Sequence, residues 1–405
     1  MTPAARLAAA IDVLDRVGAG PPDRVLSPPV DQVVFNPVEM VLINWARGNR
    51  YAGSGDRAAI RDIVYDILRK RRSCAAAGQG DSGRALVLGH LHLTGQDAAG
   101  LFTGEGYAPA KRDAQEVLQP PAHNTWPDAV QLDIPDWLEA PLRQSLGQDY
   151  RDNLQIMRDR APVFLRVNHR KARLEQVRQS LTAEGIEARP HPLATSALEV
   201  LTNPRRIAQS AAFLKGWVEL QDAASQAVVE ALPLPKTGRI LDYCAGGGGK
   251  SLAIAALSDA SLSAFDQNQA RMQDISKRSQ RAGVKITCLT AAALAGSGLY
   301  DLVLADVPCS GSGAWRRMPA AKWTLTPDRL AELLVLQQKI LVKSAEFVRP
   351  RGVLAYATCS LLAAENSDQV RKFLSQNHSF TLEKQQQFTP LDGGDGLFVA
   401  VLRRD

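Results

Sequence analysis

The sequence predicts a mixed α/β protein that ends in a doubly wound, Rossmann-like sheet. From Gly216 onward, short apolar runs of strand length alternate with helical segments, and this order is typical of a doubly wound sheet. One strand followed by a helix precedes it and predicts a small α+β module. The first 116 residues show only helical spacing of apolar side chains, which predicts an all-α region.

These patterns divide the chain into four segments. Proline interrupts helices and strands, so a stretch with Pro120, Pro121, Pro127 and Pro135 is interpreted as a linker. The predicted segments are a helical region at 1–116, the linker at 117–136, a basic α+β module at 137–215 and the doubly wound domain at 216–405.

Apolar spacing and turn residues place the elements within these segments. A helix is expected to begin at Asp56, which has the side chain of an N-cap, and prolines between Pro21 and Pro29 predict a break. Other helices are predicted over 4–17, 39–46, around 83–100 and 137–160, and a strand over 162–167 is followed by a helix through 174–181. In the last segment, strands are predicted near 239–243, 262–265, 284–289, 301–305, 352–356 and 396–403, and helices near 222–231, 250–257, 268–282, 327–347 and 363–375.

Composition limits the class of protein. A hydrophobic content of 45% and a charged content of 22% are typical of a globular protein, and no apolar run reaches the roughly 20 residues of a membrane span. Without an apolar signal core near Met1, we expect a cytoplasmic location. The five cysteines are widely spaced and odd in number, which argues against a disulfide framework and a zinc site.

Positive charge is concentrated in one part of the chain. The net charge is +6, and the segment from Arg158 to Lys215 contains eleven Lys and Arg against five Asp and Glu. A localised basic segment predicts a polyanionic partner such as nucleic acid, although a solvated basic face is an equally good explanation of charge alone.

A glycine loop, Gly246 to Gly249, connects a predicted strand with a predicted helix. This geometry lets backbone N–H groups approach a polar ligand closely. A phosphate-binding loop would end in Gly-Lys-Ser as this one does, but Cys244 stands where its first glycine belongs. The alternative is a nucleoside cofactor whose ribose binds an acid roughly 20 residues on, and Asp266 stands at that distance.

Two cysteines follow predicted strands of the same sheet. The first cysteine segment, Asp306-Val307-Pro308-Cys309-Ser310-Gly311-Ser312-Gly313, and the second, Thr358-Cys359-Ser360, each begin where a strand ends. Ligands bind along the carboxyl edge of open α/β sheets, so two thiols and one acid are expected to converge there. A cysteine at a strand end is more often a small buried hydrophobe, but two of them in polar segments weaken that explanation.

These motifs together resemble the signature of the RNA (cytosine-5) methyltransferase family of the Sun/Fmu type, and they are close to its bacterial rRNA members. Gln221-Asp222-x-x-Ser225, Glu365-Asn366 and Asp395-Gly396-Leu397-Phe398 match the same family. The resemblance covers residues 155 to 405 well, whereas the first 115 residues resemble the RNA-binding helical extension only loosely.

The resemblance implies S-adenosylmethionine as cofactor, with Asp266 at the ribose and Asp306 also in contact. The loop residues that match are Cys244, Ala245, Gly246, Gly247, Gly248, Gly249 and Lys250. Gly246, Gly247 and Ser251 replace the Ala, Pro and Thr that usually stand in this loop. Thr290-Ala291-Ala292 stands where the family tends to place an Asp near the adenine.

The resemblance also implies roles for the polar side chains. Cys359 would add to carbon 6 of cytosine, and Cys309 would assist release of the methylated base. Asp306 would hydrogen-bond the amino edge of the base, and Lys250 would favour the thiolate. The target base would be unpaired or flipped out of its stack.

The predicted partner is RNA, with rRNA favoured over tRNA, and Arg166, Arg170, Lys171 and Arg173 are the candidate contacts. We expect no membrane, no metal and a monomer. Two other classes stay open at this point, a non-catalytic RNA-binding or ribosome-assembly factor with a degenerate methyltransferase fold and a P-loop NTPase.

Overall fold

The computed structural model describes residues 1–18, 37–113, 116 and 122–405, and these residues form two compact units. The helical unit comprises the described residues up to Arg160 together with Trp315–Leu325, and the sheet unit comprises Ala161–Ala314 and Thr326–Asp405. The predicted break at Pro21 to Pro29 and residues 117–121 of the predicted linker lie outside the described residues. The predicted fold class is confirmed.

Amphipathic helices pack around one apolar core in the helical unit. Ile60, Val64 and Ile67 line one face of the third helix and are fully buried with Val13 and Val87 of neighbouring helices, as their helical spacing predicts. The helices are α1 (Pro3–Gly18), α2 (Pro37–Gly48), α3 (Ser54–Arg69), α4 (Arg71–Gly78), α5 (Gly83–Leu93), α6 (Asp128–Gln131), α7 (Asp136–Leu146) and α8 (Tyr150–Met157).

The start of α3 differs from the prediction. The N-cap is Gly53, so Asp56 lies inside the first turn. Its carboxylate accepts hydrogen bonds from the N-terminal amine of Met1 at 3.2 Å and from Arg6 at 2.9 Å. The prediction was wrong because acids are favoured both at the N-cap and in the first turn, and sequence does not separate the two.

Residues 122–136 are packed rather than extended, in contrast to the linker predicted there. They contain α6, and the indole of Trp126 is buried. The buried carboxylate of Asp133 accepts hydrogen bonds from the backbone N–H of Ser73 and from Arg158, both at 2.9 Å. Proline restricts the backbone in this stretch, but it does not prevent burial of the residues between the prolines.

Trp315–Leu325 belongs to the helical unit, although the sequence placed it within the doubly wound domain. This segment contains the helix Pro319–Thr324. The indole N–H of Trp323 donates a hydrogen bond to the carbonyl of Leu68 at 2.7 Å. The location of the segment is decided by contacts with residues about 250 positions earlier in the chain, which no local pattern records.

A small antiparallel sheet opens the sheet unit, with the strand order β2-β3-β1-β4. Of its strands, only β1 was predicted, because the other three are three or four residues long and give too few positions for a clear alternation. The elements are β1 (Val163–Val167), α9 (Leu174–Ala183), β2 (Ala188–Pro190), β3 (Ala197–Val200), α10 (Ala211–Leu214) and β4 (Val218–Leu220).

The large sheet has the order β10-β11-β9-β8-β5-β6-β7, and β11 runs antiparallel to both of its neighbours. The pairs among β5 to β9 are parallel, as a doubly wound sheet requires. Its strands are β5 (Arg239–Asp242), β6 (Ser261–Ala264), β7 (Ile286–Cys288), β8 (Tyr300–Asp306), β9 (Val348–Thr358), β10 (Phe380–Phe388) and β11 (Leu397–Arg404).

Helices cover both faces of this sheet, so successive strand residues enter different cores. Leu302 and Leu304 pack on one face, and Val303 and Ala305 pack on the other. The helices of this part of the sheet unit are α11 (Ala223–Glu230), α12 (Gly249–Leu257), α13 (Ile275–Ala282), α14 (Ala291–Ala295), α16 (Pro327–Ala345) and α17 (Ser367–Gln376). The helix Pro319–Thr324, α15, belongs to the helical unit.

The edge strand β10 was not predicted. Between Phe380 and Phe388 its side chains are mostly exposed and polar, because the strand lies at the edge of the sheet and covers little core.

Within the described part of the chain, no helix is long and apolar enough to cross a membrane.

Candidate active site

Three strand ends meet at the carboxyl edge of the large sheet. Asp242 ends β5, Asp306 ends β8 and Thr358 ends β9. The register places Asp242 beside Leu304 and Asp306 beside Ala357. The glycine loop and the two cysteine segments follow these ends, so the residues that the sequence placed at one edge lie together.

The glycine loop leads from β5 into α12. Gly246 and Gly248 have φ angles of +51° and +78°, in the left-handed region where a side chain is strained. The N–H of Gly246 donates a hydrogen bond to the carboxylate of Asp266 at 2.9 Å. Asp266 follows β6 and is only 4% exposed, so this acid lies directly against the loop.

A second buried acid lies beneath the loop. The hydroxyl of Ser251 donates to Oδ2 of Asp242 at 2.5 Å. Among the described residues, the buried Oδ1 of Asp242 has no hydrogen-bond partner. Burial raises the pKa of Asp242 to about 7, because the low-dielectric surroundings disfavour the ionised carboxylate.

Lys250 and Asp306 form an ion pair across this edge, with 2.6 Å between Nζ and Oδ2. Burial acts to lower the pKa of Lys250, but the Asp306 carboxylate outweighs it, and the pKa is raised above the usual value. Lys250 therefore keeps its positive charge at neutral pH.

The two thiols of the cysteine segments lie side by side. The Sγ atoms of Cys309 and Cys359 are 3.4 Å apart, although 50 residues separate them in the chain. The hydrogen bond with Cys359, followed by burial, raises the pKa of the Cys309 thiol well above its ordinary value. Cys309 is therefore held in the protonated form beside Cys359.

A buried carboxylate holds the two cysteine segments together from behind. Glu365 accepts hydrogen bonds from the backbone N–H of Ser310 at 2.8 Å and from the side chain of Gln337 at 3.0 Å. The hydroxyls of Ser310 and Ser360 also donate to it. The sequence singled out Glu365 as part of a motif, but it did not indicate that its side chain joins both segments.

Comparison with known proteins identifies the family. Residues 229–402 match the model of the 16S rRNA methyltransferase RsmB/F family, and residues 134–208 match the ferredoxin-like domain of RsmF/B-like methyltransferases. Ribosomal RNA small subunit methyltransferase B of Vibrio cholerae is 33% identical over 399 residues, which cover 86% of this chain and 90% of that protein. The chain belongs to the RsmB/F family. The resemblance stated from the motifs is thus confirmed.

A further relative and a solved structure are also similar to this chain. Ribosomal RNA small subunit methyltransferase B of Erwinia tasmaniensis is 34% identical over 283 residues. That alignment covers 66% of this chain and 66% of the relative, slightly less than two thirds of its length. A methyltransferase homolog protein from Pyrococcus horikoshii has a similar fold, with a TM-score of 0.60 and 23% identity over 69% of this chain and 98% of that one.

One RNA contact predicted from the sequence is not on the surface. Arg166 is 4% exposed, and its guanidinium donates to the carbonyl of Gly249 at 3.1 Å and to the side chain of Gln221. The prediction relied on the charge of Arg166. However, alternate side chains of a strand point to opposite faces of the sheet, and Arg166 lies on the face of β1 that points inward. Arg166 therefore contacts the glycine loop and not a polyanion.

The other three predicted contacts differ in their surroundings. Arg170 forms an ion pair with Asp259 at 2.6 Å, and the ammonium of Lys171 donates to backbone carbonyls. Arg173 is exposed just before α9. Of the four, Arg173 has the surroundings that suit a phosphate contact best.

Thr290, which stands where the family tends to place an acid, has a structural role. Its hydroxyl accepts a hydrogen bond from the N–H of Ala293 at 3.3 Å and caps α14. Two groups near the glycine loop were missed from the sequence. Arg271 pairs with Asp266 at 3.2 Å, and Arg278 donates to the carbonyl of Gly247. Both are ordinary helical arginines in sequence, and no local signal distinguishes them.

Proposed function

We propose that this chain transfers a methyl group from S-adenosylmethionine to carbon 5 of a cytosine in rRNA, through a covalent bond between Cys359 and the base. The observation that supports this is a pair of thiols 3.4 Å apart beside the Lys250–Asp306 ion pair. Carbon 5 of cytosine is a poor nucleophile, and a thiolate that adds to carbon 6 gives it enamine character. Methyl transfer to an exocyclic nitrogen or a hydroxyl needs no such thiol.

Cys359 acts first in the proposed reaction. Its sulfur forms a bond to carbon 6, and the ring electrons move toward carbon 5, which then takes the methyl group. Lys250, paired with Asp306, supplies a positive charge beside the reacting groups. Asp306 accepts a hydrogen bond from the amino edge of the base and holds the ring in place.

Cys309 acts in the second half. Cys309 gives up its own proton to solvent, and its sulfur then takes the proton from carbon 5. The bond between carbon 6 and the Cys359 sulfur breaks, with its electrons returning to that sulfur. Cys309 lies next to that sulfur and assists this elimination.

The residues at the carboxyl edge fit the proposed cofactor. S-adenosylmethionine supplies a methyl group on a positively charged sulfur. Asp266 offers its carboxylate to the ribose hydroxyls, and Cys244 to Lys250 form the loop beside it. The buried Oδ1 of Asp242 has no partner among the described residues. Such a buried polar atom calls for a partner, which a bound ligand would provide.

The substrate class is inferred from the relatives and from charge. Two relatives are named as methyltransferases of small-subunit ribosomal RNA, which favours rRNA over tRNA for this chain. Arg170, Lys171 and Arg173 lie in the loop between β1 and α9, and we propose that they contribute to RNA binding.

Trapping of the covalent intermediate tests the roles of the two cysteines. We expect Cys309→Ala to methylate once and to remain attached to rRNA, because elimination is impaired. Cys359→Ala should neither transfer tritium from labelled S-adenosylmethionine nor form an adduct. A denaturing gel with rRNA from cells that lack the gene would show a slow band for Cys309→Ala alone.

Cys288→Ala is the matched control, since Cys288 is an exposed cysteine on the edge strand β7, and it should behave as wild type. A slow band with Cys359→Ala would reverse the two roles. Binding of rRNA without any methyl transfer by the wild-type chain would instead favour a non-catalytic RNA-binding factor.

A further inference from the structure

The glycine loop lacks the intrinsic stiffness that its position requires. Four consecutive glycines, Gly246 to Gly249, leave the unfolded and the folded backbone with more freedom than any other residues would. Gly246 and Gly248 need glycine because their φ angles are positive, whereas Gly247 is not in that region. Within the loop, one hydrogen bond spans this residue, from the N–H of Gly248 to the carbonyl of Ala245 at 2.8 Å. Any further restraint on Gly247 has to come from outside the loop.

Arg278 of α13 contacts the loop at this residue. Its guanidinium donates a hydrogen bond to the carbonyl of Gly247. The same guanidinium pairs at 3.1 Å with Glu219 of β4, whose side chain is 5% exposed. A guanidinium fixed by a buried carboxylate is a rigid donor, because its planar fork is already oriented.

Arg166 of β1 contacts the other end of the loop. It donates to the carbonyl of Gly249 at 3.1 Å, and Gln221 accepts a further hydrogen bond from it. A peptide unit is planar, so a fixed carbonyl of Gly249 also fixes the direction of the N–H of Lys250. That N–H is among the first donors of α12, which have no partner within the helix.

We propose that Arg166 and Arg278 are positioning residues that brace the glycine loop through its carbonyls and so preorganise its N–H groups for the cofactor. The proposal rests on the proposed function for the identity of that cofactor. Rigid donors bind a ligand more tightly because less freedom is lost on binding. The two arginines, both from outside the loop, thereby supply the stiffness that Gly247 lacks.

Arg278→Gln tests the brace in the full chain, because Arg278 is partly exposed. Hydrogen exchange of the loop amides without any ligand should become at least about tenfold faster, since one carbonyl is released. The dissociation constant for S-adenosylmethionine by calorimetry should rise about tenfold. Arg166→Gln should have the same two effects, and if this buried substitution prevents folding, Arg278→Gln alone decides.

Arg281→Gln is the matched control. Arg281 lies on the same helix and pairs with the same Glu219, but its side chain forms no hydrogen bond with the described loop residues 246–249. Its loop exchange and cofactor affinity should match those of the wild type. If Arg278→Gln and Arg281→Gln are indistinguishable in both measurements, the brace is overturned.

A second substitution separates bracing from general loss of structure. Gly247→Ala narrows the freedom of the backbone, and its Cβ would lie 3.5 Å from the Arg278 guanidinium, an ordinary contact. Added to Arg278→Gln, it should recover about threefold of the lost exchange protection; no recovery would contradict the proposal. If wild type binds no S-adenosylmethionine but Arg278→Gln still loosens the loop, the proposed function fails and the brace stands.

Discussion

Asp242 is a buried acid whose ionisation is set by its place at the end of β5. It is 1% exposed, and burial raises its pKa to about 7 from the usual 3.8. Between these two values the unfolded chain loses the proton and the folded chain keeps it. Folding stability is therefore expected to fall as the pH rises through this window.

Asp242→Asn should remove this dependence, because the amide does not titrate. Relative to Asp242→Asn, the wild type should lose on the order of a few kcal/mol of unfolding free energy between pH 4 and pH 7. Urea unfolding at several pH values measures the difference. Asp368→Asn, at a partly exposed acid in α17, is the control, and its free energy of unfolding should change with pH as that of the wild type does. A difference in unfolding free energy between Asp242→Asn and wild type that is the same at every pH would refute the assignment.

At the scale of the elements, the first cysteine segment depends on a close backbone approach. The N–H of Gly313 donates to the carbonyl of Cys359 at 3.0 Å, and the carbonyl of Gly313 accepts from the N–H of Gly396 at 2.9 Å. The loop after β8 is thus joined to the loop after β9 and to the start of β11. This contact explains why glycine is required at two distant positions.

Gly313→Ala should be strongly destabilising, because its Cβ would lie 1.8 Å from the carbonyl oxygen of Gly396. We expect a loss of about 3 kcal/mol or more by urea unfolding, as in other overpacked sites. Gly296→Ala has nothing within 4 Å of its Cβ and should change stability by less than about 0.5 kcal/mol. Equal effects of the two substitutions would show that the approach is not tight.

At the scale of the whole molecule, the net charge overstates the number of basic side chains that are available to bind RNA. The net charge is +6, but several arginines of the basic segment are used inside the protein. Arg158 pairs with the buried Asp133, and Arg166 contacts the glycine loop. The remaining basic side chains near α9 are the ones that can release counterions from a bound phosphate chain.

The triple substitution of Arg170, Lys171 and Arg173 by Gln should therefore weaken the salt dependence of rRNA binding. Each lost phosphate contact lowers the slope of log affinity against log salt by about 0.7 for single-stranded RNA, so the expected reduction is up to about 2. The control replaces three exposed residues elsewhere, Lys339, Arg371 and Lys384. Identical slopes for the two triple variants would show that the basic residues near α9 are solvated and do not contact RNA.

The sequence by itself determined the features that rest on short-range patterns. Alternating strands and helices predicted the doubly wound sheet, and strand ends placed Asp306, Cys309 and Cys359 at one edge. The glycine loop and Asp266 were paired because the distance between them along the chain is characteristic. In each case the physical cause is a local periodicity or the common direction of parallel strands, and short stretches of sequence are enough to recognise it.

Only the tertiary structure decided the features that depend on distant partners. The burial of Arg166 against Gly249, the position of Glu365 behind both cysteine segments and the placement of Trp315–Leu325 in the helical unit all join residues far apart in the chain. The residue type of a charged side chain does not reveal whether that side chain is solvated or buried. Which of the two it becomes is fixed by the side chains that fold onto it, and local sequence does not record them.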